Sequence, residues 1–316
     1  MHQPIDAVYT WVNCNDPQWL DEFNQYKNIS SNLSSSIHKA RFRDYGELFY
    51  SLLSLEKFAP WIEKIFIIKK RYQFPKIDGL SQIIKKKIIW IDEIDICPPE
   101  IHIDQFSPTF NSLAIEANLH RIPALNEQFI YFNNDMFLGR LVPEQYFFDN
   151  NQARFAVSTK IIPNILPKRI ISGHDRHYFN AYQIFKKKYM PPKNLGYAFF
   201  HFPIHQCTPL FKSSYQQMWA NNTIKEKLLA TSQSRFRTDD NIHAVFLSCF
   251  INLYFKKAYL IQEKDYFFRL DCRNLENSLN AIKKDKPTRF CINDGLVVNK
   301  ENLDVFNQLM QDLYLN

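Results

Sequence analysis

The stretch Gln128 to Gly139, QFIYFNNDMFLG, decides how the chain is read. Its first half, Phe129-Ile130-Tyr131-Phe132, is an apolar, aromatic run of buried-strand character. Asn133-Asn134-Asp135 then interrupts it before Met136-Phe137-Leu138 turns apolar again. A buried strand that delivers two carboxamides and a carboxylate at its C-terminal end puts oxygen ligands where open α/β sheets bind their ligands. The same three letters also fit an Asx turn after an ordinary strand, because Asn and Asp bond their own backbone in turns.

Upstream, Ile5 to Val12 (IDAVYTWV) predicts a first strand, broken by Asn13-Cys14-Asn15-Asp16-Pro17. No G-x-G-x-x-G and no Walker loop follows, so a nucleotide bound here would lack a Gly-rich phosphate cradle. Residues 28 to 38, rich in Ser and Asn, predict a mobile loop or weak helix start able to fold over a substrate. Arg41 to Phe58 has apolar positions at helical spacing up to Pro60, with Asp44 as the expected N-cap. Arg41 and Arg43, just ahead of that helix, suit an anion, since guanidinium forks and free backbone N–H groups converge there. Simple pairing with Asp44 and Glu47 is the other reading. Ile62 to Lys69 and Lys87 to Ile91 predict further buried strands, and Leu113 to Arg121 a helix whose Glu116, His120 and Arg121 point away from the core. Strands alternating with helices argue for a mostly parallel α/β sheet.

With 316 residues the chain can bury a substantial core, as one integrated catalytic domain with halves at 1–160 and 161–316. Hydrophobic residues at 46% and only 6 Gly exclude a disordered or low-complexity chain. The formal charge of +7 comes from scattered Lys and short runs, which suits anionic substrates or membrane headgroups and falls short of nucleic-acid binding. Cys14, Cys97, Cys207, Cys249, Cys272 and Cys291 are widely spaced without a C-x-x-C pair, so reduced, mostly buried thiols are expected. No signal sequence is visible and no apolar run approaches the roughly 18 residues that span a bilayer. A cytoplasmic protein, able to rest on the inner face of a bacterial membrane, is the expectation.

Several stretches together carry a family resemblance: IDAVYTWVNCNDP near the start, then RFRDYGELFYSLLSLEKFAPWIEKIFII and PTFNSLAIEANLHRIPALNEQFIYFNNDMFLG, then HQCTPLFKS, SRFRTDDNIH and RFCIND. In order and spacing the chain resembles the Stealth family. These are phosphosugar transferases that include bacterial capsule polymerases and the α/β subunit of the lysosomal-enzyme N-acetylglucosamine-1-phosphotransferase. The resemblance implies a Rossmann-like or GT-A-like mostly parallel sheet with a helical accessory portion. It also implies a reaction: transfer of a sugar 1-phosphate from a nucleotide-diphospho-sugar, expected to be a UDP-sugar, to a hydroxyl of a capsular or cell-surface polysaccharide. An ordinary glycosyltransferase with the same donor, and a binding protein with weakened catalysis, are the alternatives.

Such phosphoryl chemistry needs a base for the nucleophile's proton and cations for the transferred group. The resemblance assigns catalysis to Asp135, His205, Arg237 and Asp294, with Mg²⁺ or Mn²⁺ on Asp135 and Asp294. Imidazole suits the proton transfer near neutral pH, and Arg237 would clamp phosphate oxygens. His205, seven residues before Lys212, keeps the family's spacing, while His201-Phe202-Pro203 keeps its H-x-P letters; His205 is favoured. The substrate-binding candidates are Asp6, Trp11, Asn13 and Asp16, then Arg41, Arg43, Asp44, Asn111, His120, Arg121, Asn133 and Asn134. His201, Lys212, Asp240 and Asn293 complete them, although Asp240 also fits a helix N-cap. Asn134 stands where the family's N-D-D has its first Asp, which removes a charge and keeps an oxygen. Phe49 and Lys69-Lys70-Arg71 depart from the family as well. Residues 160–197 show no recognisable chemistry. A closing amphipathic helix over 299–315 is expected to pack on the core through Leu303, Phe306, Leu309, Met310 and Leu313.

Overall fold

A computed structural model describes residues 3–27, 36–163, 174–189 and 199–315. The chain enters through strand β1 (Ile5–Thr10), helix α1 (Pro17–Lys27) and helix α2 (Glu47–Phe58). Then come β2 (Ile65–Lys69), α3 (Gln82–Lys87) and β3 (Ile88–Asp92), followed by the short helices α4 (Ile103–Phe106) and α5 (Ser112–Glu116). The opening stretch supplies β4 (Gln128–Asn133) and β5 (Met136–Leu138), and β6 (Phe148–Asp149) and β7 (Gln152–Pro163) follow. Next are α6 (His174–Tyr189), β8 (Phe199–Pro203), β9 (Thr208–Phe211), α7 (Lys212–Ala220), α8 (Asn222–Ser232) and α9 (Ala244–Tyr254). The last elements are β10 (Ala258–Gln262), β11 (Phe267–Arg269), α10 (Leu275–Asp285), β12 (Arg289–Asn293) and α11 (Lys300–Tyr314).

The main sheet runs β3-β2-β1-β4-β9, the first four strands parallel and β9 antiparallel at the edge. The 3-2-1-4 order is that of a Rossmann-like sheet. Parallel strands covered on both faces read as unbroken apolar runs, and the side chains divide accordingly. Ile5, Ala7 and Tyr9 of β1, Ile65 and Ile67 of β2 and Ile130 and Phe132 of β4 face one core, shared with α2, α10 and α11. Val8, Phe66, Ile68, Phe129 and Tyr131 face the other, built with α5 to α9. As expected, α11 packs on the core, through buried Phe306, Leu309 and Met310.

Two smaller sheets tie late segments to early ones. β12 pairs antiparallel with β5 and parallel with β11, while β7 takes β10 in parallel and β6 and β8 antiparallel. All six cysteines are free thiols, four of them buried. No helix among the described residues is long and apolar enough to cross a membrane.

Three local expectations change. Gly46, with a left-handed φ of 95°, is the N-cap residue of α2, and Asp44 sits two residues outside, accepting from the Gly46 N–H. Asp240 is no N-cap either, because α9 starts only after His243. The helix expected over 113–121 stops at Glu116 and resumes as a 3-10 turn at Leu119–Arg121. Asn118 separates the two, its side-chain amide donating to Ala114 O at 2.9 Å and to Ser232 Oγ at 2.8 Å. Residues 164–173 and 190–198, and most of the Ser/Asn-rich stretch, lie outside the described residues.

Candidate functional site

β1, β2 and β4 run in the same direction, so their last residues, Thr10, Lys69 and Asn133, meet at one edge of the sheet. A cleft of about 800 Å³ opens there. The link Asn134-Asp135 carries the chain from β4 directly into β5. Because β5 is zipped to β12, Ile292 N–H donates to the Asp135 carbonyl at 3.1 Å, and Asn293 Nδ2 donates to Asp135 Oδ2 at 2.7 Å. Asp135 is only 8% exposed, and its Oδ1 has no hydrogen-bond partner among the described residues. A buried carboxylate oxygen without a donor is costly, so this one is poised for a ligand.

His205 and Cys291 stand beside Asp135. One donor atom each from Asp135, His205 and Cys291 lie within 4.8 Å of one another. His205 sits in the bend before β9, its ring edge-on to Phe267 with centroids 5.6 Å apart. Burial, then the neighbouring Asp135, push the Cys291 thiol well above its usual range. The unmet Asp135 oxygen is a ligand suited to a divalent cation, and the His205 imidazole stands beside it. Asp294 does not join it. Both its oxygens accept from Arg43, from Nε at 2.7 Å and Nη2 at 3.0 Å, and Oδ1 also takes the Gly295 N–H at 2.7 Å. Its charge is already met, although burial still holds its carboxyl above the usual range. Gly295 is required at the next position, since a Cβ there would lie 2.2 Å from the Asp271 side chain.

The opposite wall is basic. Arg237 Nη2 donates to Ser112 Oγ at 2.6 Å, and Ser112 Oγ donates in turn to Glu116 Oε1 at 2.9 Å. Tyr131 OH lies 3.2 Å from the same Glu116 oxygen and 2.9 Å from Asn133 Oδ1, so a buried polar chain joins the Arg237 wall to the end of β4. Arg41 lies at the cleft mouth, pushed down to about 10 by the surrounding protein and then by the like charge of Arg237. Two guanidinium groups close enough to repel one another make this wall strongly positive, which suits an anionic ligand. Burial, then Arg237, also lower His177 to about 4, so it is neutral near pH 7. At the end of β2, Lys69 and Lys70 pair with Asp92 at 3.2 Å and Glu93 at 2.7 Å.

Trp11, Arg41, Arg43, Asn111, Asn133, Asn134, Asp135, His205, Arg237, Asn293 and Asp294 all line this cleft. The other expected residues whose side chains are described do not. Asp6 lies at the far end of β1, fully buried, accepting from Asn126 N–H at 2.8 Å and Lys64 N–H at 3.2 Å. Asp16 caps α1 through Trp19 N–H, and Asn13 bonds Gln73. Asp44 stands behind Trp11, taking its indole Nε1–H at 2.6 Å, and so positions a cleft residue without facing the cleft. His120 stacks on Tyr215 and Arg121 covers the Trp219 ring, both away from the sheet edge. Lys212 donates to Leu125 O at the opposite end of β4, and Asp240 is outside the cleft lining. The His201 side chain lies outside the described residues. Asn111 is 1% exposed and donates to Ser234 O and Asn241 Oδ1, both at 2.9 Å, fastening the Arg237 loop to α5.

Three further groups line the cleft. Glu116, expected on an unbroken helix to point away from the core, is instead buried and faces the cleft. His243, two residues past the Asp-Asp-Asn run and 3.7 Å from Glu116 Oε2, carried a signal in its imidazole alone. Asp265, whose carboxyl is raised by burial with His205 offsetting part of the shift, gave none.

Residues 3–31 match Stealth protein conserved region 1 and residues 41–156 match conserved region 2. The chain is 31% identical over 304 residues to the capsular polysaccharide phosphotransferase fcs1 of Haemophilus influenzae, covering 92% of this chain and 78% of that protein. It is 32% identical to cps12A of Actinobacillus pleuropneumoniae, covering 92% and 76%, and 32% identical to LcbA of Neisseria meningitidis, covering 92% and 77%. Among solved structures, the galactosyltransferase LgtC covers 98% of this chain and 96% of its own at 10% identity and a TM-score of 0.41, too slight a likeness to argue from. On the two conserved regions and the relatives matched over 92% of its length, the chain belongs to the Stealth family.

Proposed function

We propose that this chain transfers a sugar 1-phosphate from a nucleotide-diphospho-sugar to a hydroxyl of a capsular or cell-surface polysaccharide. In that reaction the bridging P–O bond of the donor breaks, the acceptor oxygen bonds to phosphorus, and a phosphodiester and a nucleoside monophosphate result. The observation that carries the reading is the pairing of the unmet Asp135 oxygen and His205 with the Arg41–Arg237 pair in one cleft. Its volume of about 800 Å³ lies within the roughly 300–1,000 Å³ of small-ligand sites.

Asp135 would hold the cation, Mg²⁺ or Mn²⁺, which when bound neutralises charge on the transferred phosphoryl group and its leaving partner. His205, beside it, accepts the proton of the acceptor hydroxyl. Arg237, fixed by Ser112 and Glu116, clamps phosphate oxygens, and Arg41 adds charge at the mouth. Trp11, held by Asp44, offers a flat apolar face to the donor. Residues 1–160 and 161–316 act as one catalytic unit at the inner face of the membrane.

Incubation with UDP-, GDP- and CDP-linked sugars, Mg²⁺ or Mn²⁺ and a capsular acceptor tests this by phosphorus NMR. A phosphodiester product with nucleoside monophosphate is expected. A glycosidic product with nucleoside diphosphate overturns it, and binding without turnover under every donor favours a recognition protein.

A further inference from the structure

A second hollow, of about 280 Å³, lies at the other end of β12 from the cleft. Arg289, the first residue of β12, forms its floor, and Arg140, Lys264, Lys286, Tyr146 and Tyr266 stand around it. Asn293, the last residue of β12, holds Asp135. Four residue steps of extended strand separate the two, about 13 Å.

The hollow has more donors than acceptors. Its two carboxylates are occupied: Glu263 accepts from Tyr146 OH at 2.6 Å and Arg289 Nε at 3.2 Å, and Asp285 accepts from Tyr266 OH at 2.6 Å and Lys264 Nζ at 2.9 Å. Arg140 spends Nε and Nη2 on Thr288 Oγ1 alone. Lys286 has no partner for its ammonium among the described residues, and Arg289, 3% exposed, has none for Nη2. Four cations therefore face two satisfied carboxylates in a concave place. Arg289 is anchored by Cys207 O at 2.7 Å and lies over the Tyr146 ring, which leaves Arg140 and Lys286 as the cations that meet no carboxylate among the described residues.

We infer that this hollow binds an anionic segment of the glycan acceptor, a phosphodiester made in an earlier transfer. The inference rests on the proposed reaction, in which each product carries one such charge a short distance behind the hydroxyl that reacts next. Arg140 and Lys286 make the contacts, as a guanidinium fork and a point charge on phosphate oxygens. Arg289, shielded from solvent, supplies field from below. Binding at both ends of β12 favours longer acceptors through the effective concentration that the first contact gives the second.

Calorimetry on the intact chain decides it, with phosphodiester-linked oligosaccharides of increasing length, their phosphate-free counterparts, inorganic phosphate and phosphatidylglycerol vesicles as probes. Oligomers long enough to carry an internal phosphodiester are expected to bind the Arg140→Ala/Lys286→Ala variant about tenfold more weakly than the unaltered chain. The shortest acceptors and the phosphate-free series should be unchanged, and Arg140→Lys/Lys286→Arg should keep most of the affinity. Equal losses for short and long oligomers, no loss at all, or a loss confined to vesicles or inorganic phosphate overturns the inference. Length-dependent binding without any transfer would sink the reaction and leave the site standing; transfer with length-independent binding would do the reverse.

Discussion

Two strands of this protein end in the same pair of letters and in opposite electrostatic states. β4 runs out into Asn133-Asn134-Asp135 and β12 into Asn293-Asp294, and both carboxylates line one cleft. Asp294 is met by Arg43 and the Gly295 N–H, whereas Asp135 receives one amide from Asn293 and keeps an oxygen unmet. A strand-end acid is thus a ligand or a strut according to what the rest of the chain brings to it. The neighbouring Asn pairs with the functional acid and so belongs to the site as a positioning group.

The sharpest way to break this contrast is to remove each acid in turn. Asp135→Asn is expected to lower kcat by about 10²–10³-fold, the scale for losing a group that stabilises developing charge. Asp294→Asn should cost less than a tenth of that and act mainly on stability. Transfer assays and thermal unfolding on both variants check it, and equal activity losses would remove the distinction.

The next effect is on stability. Arg43→Met strands a carboxylate whose side chain is 7% exposed, while Arg43 itself is 22% exposed. About 1–3 kcal/mol at pH 7 is expected after allowing for that partial exposure. Burial already raises the Asp294 carboxyl above its usual value, and losing Arg43 raises it further. A folded pKa above the unfolded one means that protonation favours the native state, so the penalty should shrink as pH falls toward about 4. Urea unfolding at pH 7 and pH 4 reads this directly, and a penalty that grows with acid would contradict the assignment of Arg43 as the partner.

Smaller again is Asn134→Asp, which adds a charge beside Asp135. Tighter divalent-cation dependence, roughly fivefold or less, is expected in the half-saturating concentration. The smallest effect should come from Lys212→Met: at the wrong end of β4, it is expected to leave kcat unchanged and stability within about 0.5 kcal/mol.

The main sheet was legible because strands buried on both faces write their burial as unbroken apolar runs. β1 and β2 fall inside the predicted stretches, and β3 and β4 each run one residue past theirs. What escaped was decided by partners far along the chain. The helix through Glu116 breaks because Asn118 is claimed by Ser232, and no local periodicity records that contact. Arg43 was legible as an anion binder, but its anion is Asp294, 251 residues away. The family resemblance assigned catalysis to Asp135, His205, Arg237 and Asp294; all four line the cleft, but Asp294 is tied to Arg43. Asp6 and Lys212 failed for a geometric reason: Asp6 lies near the start of the parallel strand β1, and Lys212 follows the end of the antiparallel β9, so both sit at the edge of the sheet opposite the cleft.

The zipper between β5 and β12 also sets the timing of the site. Asp135 is synthesised early, yet the amide that orients it comes from Asn293. At about 5–20 residues per second, roughly 8–30 s of translation separates the two. Throughout that interval the sheet edge can form without its finished ligand geometry. A nascent chain would therefore have little hold on cation or nucleotide sugar until β12 docks, and catalytic competence would arrive as a late, single event.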